Sequence, residues 1–453
     1  MGAPLEPKGY SSISAAGRSE AIRAPRRRTA SEVDRREKRT AALCFFGFGC
    51  GSSATYNGVI MALAHLQQSG GPGLLRALSL AHKGPLVTTM TLLILNPYTL
   101  SLKTQIRGLA IAFAVSATVS LSFALSAVGV CEMTQRTIFR LVEVNGVAAG
   151  ASLSLAAALG GAFDAFSMTR GVGVQQLRGA GFGIVAEAVL ALSLVFLLPS
   201  DACSLESTAA ASAALGANLA CLLCLGALLA VLIISRSETF RAAEAPDFFE
   251  QGPFPSDETL EASHSLPCRP CPDADTIGKC CAAPEYRSFL KDRVTSIAPV
   301  ALGQFVNAFF FISTFMLAPK LPVSGNSDFW KTYFVTVLIA VTNVSAFFGR
   351  TLQLKAPSRG DRLPLQLAVL APAGYALARA YAVTGALPGL SPGNGVGVAL
   401  YAVNAFLCGF TVIQLSQLAQ TACGHSHEVI CPVAAQLNFL ALQAAALLGV
   451  LLA

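Results

Sequence analysis

Apolar blocks of about twenty residues recur along the chain, separated by shorter polar stretches. A helix of that length is long enough to cross the hydrocarbon core of a bilayer. We therefore predict one membrane-crossing helix in each block. The eleven predicted spans are 41–66, 85–103, 106–128, 139–161, 179–199, 209–234, 294–319, 330–354, 364–388, 396–422 and 431–453. The pattern predicts an all-α polytopic membrane protein.

One polar connection is much longer than the others and divides the spans into two groups. Residues 235–293 are rich in proline and acidic in patches, and we expect them to be disordered and cytosolic. Six spans precede this loop, in a lobe over 41–234, and five follow it, in a lobe over 294–453. Two groups of helices joined by a long flexible segment are typical of two-lobed carriers. The predicted fold is therefore a major-facilitator-like bundle of about 11 helices.

The composition agrees with a membrane location. Hydrophobic residues make up 53% of the 453 residues and charged residues 13%, about half of the roughly 25% found in soluble domains. The formal net charge of +7 is therefore interpreted loop by loop, as a signal of orientation. The net positive charge therefore does not require a nucleic-acid partner, and none is predicted.

The amino-terminal segment 1–40 is basic, and we expect it to be a disordered cytosolic tail. Arginine and lysine beside a membrane span favour the cytosolic side. With eleven spans after a cytosolic amino terminus, the carboxyl terminus lies on the opposite side of the membrane. We expect this membrane to be the plasma membrane.

Charges in the connections follow this orientation with one departure. The outside connection after the fifth span carries Asp201 and Glu206 and no basic residue, whereas an inside connection carries Lys103. Arg76 and Lys83 depart from the pattern, because they precede the second predicted span and so fall in the first outside loop.

Four cysteines lie close together in the long loop, at Cys268, Cys271, Cys280 and Cys281. Two CxxC pairs would be typical of a zinc site, but the second pair here is adjacent, which fits a tetrahedral site poorly. The spacing favours lipid attachment, or thiols without a specific role, over zinc. The sequence predicts no metal site and no cofactor.

No pattern in the chain is typical of catalysis. The glycine-rich run GVGVQQLRG has no strand before it and no lysine after it, so it is not a phosphate-binding loop. Nothing indicates a serine or cysteine nucleophile with a histidine base. We predict that the protein is not an enzyme and has no catalytic residues.

Polar side chains within the spans are the candidate functional residues, because such groups are costly in hydrocarbon and usually face the bundle interior or a water-filled cavity. Asn343 and Arg350 are seven residues apart, or two helical turns, and so share one face. Amides and a guanidinium converging from several helices would suit a polar solute. Two alternatives stay open. Asparagine and glutamine can link helices, and Arg350 can extend to the cytosolic interface near Lys355.

The eighth span resembles a motif of the equilibrative nucleoside transporter family. The family pattern has the form F-N-V-x-D-x-x-G-R, and TNVSAFFGR keeps Asn343, Gly349 and Arg350 in register. The family aspartate falls on Ala346, so the carboxylate one turn before the arginine is missing.

Other spans match the family in part. In the first span, GCGSSATYN keeps Asn57 and has Tyr56 in the aromatic position. At the start of the fifth span, VQQLRG matches through Gln175. The family glutamine of the fourth span falls on Ala149 or Leu153, depending on how a gap is placed.

The resemblance implies a carrier that passes nucleosides, or nucleobases, across the lipid bilayer by alternating access. The open alternatives are a facilitator-type carrier of another polar solute, such as a sugar or a drug, and a non-transporting membrane scaffold. The candidate substrate-binding residues are Arg350, Asn343, Asn57, Tyr56, Gln175, Asn307 and Gln414. Because Ala346 cannot pair with Arg350, we expect Arg350 to face the solute or to pair with Glu143, Asp164 or Glu187.

Overall fold

Long helices make up almost all of the described chain. The computed structural model describes residues 35–61, 74–95, 101–165, 172–197, 205–237, 240, 284–318, 321–323, 328–352, 362–386, 393–422 and 431–452. The helices in these ranges are α1 (Arg35–Met61), α2 (Leu74–Leu95), α3 (Leu102–Ala127), α4 (Gln135–Ala165), α5 (Val172–Leu197), α6 (Leu205–Arg236), α7 (Pro284–Met316), α8 (Asp328–Thr351), α9 (Leu363–Thr384), α10 (Asn394–Ala422) and α11 (Cys431–Leu452). No strand occurs in these ranges. The predicted all-α class with six and five helices is confirmed.

The helices form two lobes, which we call the N-terminal lobe (α1–α6) and the C-terminal lobe (α7–α11). In the N-terminal lobe α1 packs on α5 and α6, and α2 packs on α4. In the C-terminal lobe α7 packs on α11, and α8 packs on α10. The pairs α1–α5 and α7–α11 are therefore equivalent, as are α2–α4 and α8–α10. The lobes meet where α5 contacts α8 and where α11 contacts α2 and α4.

Glycines set the close approach of the tightest pairs. A side chain at Gly179 of α5 would collide with the backbone carbonyl of Phe46 on α1. On the other lobe, Gly349 of α8 lies against the carbonyl of Phe406, and Gly409 of α10 lies against the backbone of α8. Small residues at helix contacts let backbones pack closely where no water drives association.

Buried polar side chains link neighbouring helices within each lobe. The Asn145 side chain of α4 donates to the Thr55 carbonyl of α1 at 3.0 Å. The Tyr401 hydroxyl of α10 donates to the Thr314 carbonyl of α7 at 2.8 Å. Hydrogen bonds of this kind between membrane helices contribute about 0.6 kcal/mol on average, so they add specificity more than stability.

Large aliphatic side chains cover the outer face of the bundle. Ile111 of α3 is 65% exposed, Leu222 of α6 is 66% exposed, and Val369 of α9 is 70% exposed. Contiguous apolar surface of this kind marks contact with a membrane or a partner. On length and composition, seven of the helices in the described ranges can cross a bilayer. The protein is an integral membrane protein.

Most of the helices begin earlier than the apolar blocks predicted. Helix α1 starts at Arg35, inside the predicted tail, and α7 starts at Pro284, inside the predicted loop. Charged turns extend these helices beyond the apolar span. The largest difference is α2, which covers Leu74–Leu95 where the prediction was 85–103. The rest of the tail, most of the long loop and its cysteine cluster lie outside the described residues.

Candidate functional site

A small cavity lies between the two lobes, where α5 of the N-terminal lobe faces α7 and α8 of the C-terminal lobe. Its volume is about 40 Å³. The lining residues are Gly181, Ile184, Phe311, Asn343, Ala346, Phe347 and Arg350. Four of these side chains come from one face of α8, as the seven-residue spacing of Asn343 and Arg350 predicts.

Two hydrogen-bond donors in this cavity have no acceptor among the described residues. Asn343 Nδ2 and Arg350 Nε are both buried and unpaired there. Side chains on a helix tilt toward its amino terminus. Arg350, one residue from the end of α8, therefore points back into the bundle, and its guanidinium lines the cavity. The structure thus places Arg350 among the residues that line the cavity between the lobes.

No carboxylate in the described chain is paired with Arg350. Ala346, one turn earlier, is buried and its carbonyl lies against Gly409 of α10. Of the partners expected from the sequence, Glu143 instead accepts a hydrogen bond from Arg140 at 3.0 Å. Glu187 lies within the N-terminal lobe, beside glycines of α1 and α6. The side chain of the third, at position 164, lies outside the described residues.

A second buried cation lies at the lobe interface, where α2 meets α11. Lys83 Nζ on α2 donates to Gln443 Oε1 on α11 at 2.9 Å, across the lobe interface. Its ammonium is 6.0 Å from the centre of the Tyr56 ring. The charge pattern predicts an outside loop for Lys83, and that prediction is wrong, because Lys83 lies within α2.

The aromatic rings of Tyr56 and His82 lie beside Lys83 in the N-terminal lobe. The Tyr56 hydroxyl is 3.1 Å from Ser79 Oγ, and the Tyr56 and His82 rings stack with their centres 4.5 Å apart. His82 Nδ1 is buried without a hydrogen-bond partner in the described chain. Of the residues predicted from the first span, Tyr56 is the one that lies beside the lobe interface.

A helical stripe in the sequence was the signal that could have located Lys83. Leu74, Leu78, Leu86 and Met90 recur at multiples of four residues, and all four are fully buried. This spacing is typical of one face of a helix that runs through Pro85. Arg76 and Lys83 lower the local hydrophobicity before Pro85, and the predicted apolar block therefore begins at Pro85.

Two other predicted residues are bonded within a single lobe. Asn57 donates to the Ser53 carbonyl of its own helix at 2.8 Å. Asn307 of α7 donates to the Cys408 carbonyl of α10 at 3.3 Å, which links two helices of the C-terminal lobe. The Asn307 bond corresponds to the alternative in which amides link helices, whereas the Asn57 bond stays within α1.

The remaining two predicted residues are not among those lining the cavity. Gln414 of α10 is buried, and its Nε2 has no acceptor in the described chain. Gln175 is half-buried at the start of α5, whereas the neighbouring Gln176 reaches the backbone of α4 near Leu153. Of the seven predicted residues, the structure therefore brings Asn343 and Arg350 together, with Tyr56 nearby.

The arrangement favours a ligand that accepts hydrogen bonds. A guanidinium and an unpaired amide donor, those of Arg350 and Asn343, line one cavity between the lobes, and Arg350 forms no salt bridge with a described residue. Polar groups buried in a membrane protein without partners usually mark a substrate or ion pathway.

Three solved structures are similar to the chain in fold. A D-xylose–proton symporter is 13% identical, with 91% of this chain and 88% of that chain covered and a TM-score of 0.50. The E. coli fucose:proton symporter FucP is 15% identical, with 91% and 95% covered and a TM-score of 0.48. The nucleoside transporter NupG is 11% identical, with 91% and 90% covered and a TM-score of 0.46.

The likeness to the xylose symporter concerns the fold alone, and the other two similarities are too low to add to it. The chain has the two-lobed, major-facilitator-type fold that the sequence predicted. No family model and no curated protein sequence matches the chain. Membership of the equilibrative nucleoside transporter family therefore stays a prediction.

Proposed function

We propose that this protein is a membrane transporter that carries nucleosides, or nucleobases, by alternating access. Two lobes that rock about a central site expose it to one side of the membrane and then to the other. Proposed passage is down a concentration gradient. The substrate class rests on the resemblance of the eighth span to the nucleoside transporter motif, in which Asn343 and Arg350 are retained.

One observation carries the proposal. The two polar residues retained from the motif, Asn343 and Arg350, line one cavity between the lobes, and each has a buried donor without an acceptor in the described chain. Purine and pyrimidine bases offer carbonyl and ring-nitrogen acceptors that match such donors. A structural arginine or asparagine would instead be paired with a protein group, because an unpaired buried donor costs about 1–3 kcal/mol.

The cavity is smaller than the pockets that hold small organic ligands. Pockets that hold small organic ligands are typically about 300–1,000 Å³, and this cavity is about 40 Å³. A nucleoside therefore enters only if the lobes separate. The contact of α5 with α8, between Gly181 and Phe347, is one that must open.

Uptake by the purified full-length protein in liposomes tests the proposal. We expect protein-dependent uptake of labelled adenosine, inosine or hypoxanthine, and none of glucose. Loss of a charge-assisted hydrogen bond costs about 1.5–3 kcal/mol, and each 1.4 kcal/mol is a factor of ten. Arg350→Ala should therefore lower uptake by roughly ten- to a hundredfold, while the amount of protein in the liposomes stays the same.

Arg379→Ala is the matched control, because Arg379 is an exposed arginine on α9. It should leave uptake at the wild-type rate. Uptake of glucose without nucleosides would favour a carrier of another polar solute. Normal uptake by Arg350→Ala would show that the arginine has only a structural role. A protein that moves no solute, yet binds cytosolic partners through 235–293, would favour the scaffold hypothesis.

A further inference from the structure

We propose that one edge of the N-terminal lobe binds anionic phospholipids through Arg39, Arg107 and Arg236. These arginines lie on α1, α3 and α6, and we call the surface that they form the basic edge. The inference goes beyond the proposed transport function and does not depend on it, because these side chains are exposed and do not line the cavity between the lobes.

The three arginines lie at one level of the lobe. Two of them are in the second turns of α1 and α3, and the third is the last residue of α6. Helix α6 packs on both α1 and α3. One buried cluster joins the three turns, because each arginine lies within two residues of a member of that cluster. These members are Ala41, Ile106 and Ile234.

Each arginine lies one helical turn from a large exposed aliphatic side chain. The pairs are Arg39 with Leu43, Arg107 with Ile111, and Arg236 with Leu232. Residues four apart share one face of a helix, and the three aliphatic side chains are 54% to 70% exposed. In every pair the arginine lies nearer the helix end and the aliphatic residue nearer the middle of the helix. This order matches a phospholipid, whose charged headgroup lies outside its acyl chains.

The aliphatic residues of the basic edge continue the apolar surface that the membrane covers. On α6 the exposed face continues through Leu229, Leu225 and Leu222, and on α3 it continues to Leu121. Acyl chains contact such a surface in an integral membrane protein. The headgroups of the same lipids therefore lie at the level of the three arginines.

No described carboxylate forms a salt bridge with any of the three arginines. The acidic residue of α1 in this region, Glu37, is half-buried and lies two residues before Arg39. A planar guanidinium forms paired hydrogen bonds with phosphate oxygens. Cations beside a membrane attract anionic lipids. A lipid with a net negative charge is therefore a better partner for this edge than a neutral lipid.

Two exposed cations of the C-terminal lobe lack this arrangement. Arg362 directly precedes α9, and Lys291 lies near the start of α7. The residues one turn further into these helices are Gln366 and Thr295, which are polar. The position one turn from either cation therefore offers no aliphatic contact to an acyl chain. Arg362 is for this reason the matched control for the basic edge.

Lipid binding to the purified full-length protein in detergent tests the proposal. Native mass spectrometry counts the bound molecules of phosphatidylglycerol and of phosphatidylcholine with the same acyl chains. A cation near the membrane surface favours an anionic lipid by a factor of about five, so we expect bound phosphatidylglycerol to exceed bound phosphatidylcholine about fivefold at equal concentration. Arg39→Gln, Arg107→Gln and Arg236→Gln should each remove about a third of this excess, and the triple variant should abolish it.

Matched variants separate lipid binding from a general effect of charge. Arg362→Gln should leave the phosphatidylglycerol excess unchanged, whereas lysine at all three arginine positions of the basic edge should keep most of it. Serine in place of Leu43, Ile111 and Leu232 keeps the arginines and should lower binding of both lipids roughly tenfold. The elution volume and unfolding temperature of every variant are measured as well. If the triple glutamine variant does not fold, the three single variants decide the question.

Three results would overturn the proposal in different ways. Equal binding of the two lipids by the wild type does so, as does an Arg362→Gln variant that loses as much of the excess as Arg107→Gln. Displacement of phosphatidylglycerol by an equal concentration of soluble glycerol phosphate would show a site for free phosphate instead.

The acidic residues within 244–261 of the long loop, which lie outside the described residues, are the alternative occupant of the basic edge. An excess of phosphatidylglycerol that appears only after these residues are changed to amides would show that the loop, and not lipid, covers the edge. Lipid binding is measured without transport, so this inference and the proposed function fail separately. A protein that keeps the excess but moves no nucleoside overturns the transport proposal alone.

Discussion

Phe347 on α8 lies against Gly181 on α5, and this contact closes one side of the cavity between the lobes. A methyl group added to Gly181 would lie 2.7 Å from Cδ2 of the Phe347 ring. The absence of a side chain at 181 therefore lets the two lobes meet at this point. The contact belongs to the lobe interface, so it must form and break in each transport cycle.

Gly181→Val should slow transport without unfolding the protein. The valine side chain would hold α5 and α8 apart and disfavour the closed arrangement. We expect uptake to fall about tenfold, the equivalent of 1.4 kcal/mol. Initial rates in liposomes, together with the unfolding temperature in detergent, check this.

A double variant, Gly181→Val with Phe347→Ala, removes the aromatic ring that the valine side chain would meet. Recovery of part of the lost uptake in the double variant is expected, because contacting residues couple energetically. Equal uptake by Gly181→Val and wild type would show that the lobes do not close through this contact.

Gln443→Glu should convert the Lys83 hydrogen bond into a salt bridge between α2 and α11. The glutamate has the same length, so it can accept from Lys83 at the position of the present 2.9 Å bond. It would neutralise Lys83 and hold the lobes together. We expect uptake to become about tenfold slower, the equivalent of about 1.4 kcal/mol.

Gln443→Leu is the counterpart that removes the acceptor without adding a charge. It should weaken lobe closure, because Lys83 loses its acceptor on α11. Initial rates of adenosine uptake in liposomes measure the effect of both variants. Equal rates for wild type and both variants would show that the contact between positions 83 and 443 does not affect transport.

Ala346→Asp should pair with Arg350 and make its guanidinium less available to the solute. The aspartate would lie one helical turn before the arginine, at the spacing that favours side-chain ion pairs. We expect adenosine uptake to fall roughly tenfold, the equivalent of 1.4 kcal/mol. Ala346→Asn has the same size without the charge and should retain more of the uptake, which initial rates in liposomes measure.

Gly349→Ala should destabilise the C-terminal lobe, since its methyl group would overlap the Phe406 carbonyl on α10. Overpacking of this kind costs about 1–3 kcal/mol. Gly226→Ala on α6 is the control, because a side chain there meets nothing within 4 Å. Unfolding in detergent should shift for the first variant only. Equal unfolding temperatures would show that α8 and α10 can move apart without cost.

Glu187→Gln should leave the fold intact. Both carboxyl oxygens are buried without a hydrogen-bond partner among the described residues, and a charge in such a place is costly. The neutral amide of similar shape is therefore expected to unfold within about 5 °C of wild type, a difference near 1 kcal/mol. Glu187→Lys should not yield folded protein. Loss of stability in Glu187→Gln comparable to that in Glu187→Lys would contradict this.

The sequence correctly predicted features that depend on a single helix. The spacing of Asn343 and Arg350 correctly predicted a shared face of α8, because helix geometry is local. The start of α2 was predicted wrongly, because a charged residue near a helix end can belong to the helix or to a loop. Lys83 lowered the hydrophobicity before Pro85, and the start of α2 was therefore placed too late.

The amino-acid sequence by itself determined the long helices of the described ranges, their two groups and the polar face of α8, since apolar length and helical period are properties of each segment alone. Only the tertiary structure decided that Lys83 and Gln443, 360 residues apart, meet across the lobes. It also decided that Asn343 and Arg350 face a cavity between the lobes and that Asn57 bonds to its own helix. Contacts between distant segments depend on how whole helices pack, and no local pattern in the chain encodes which faces meet.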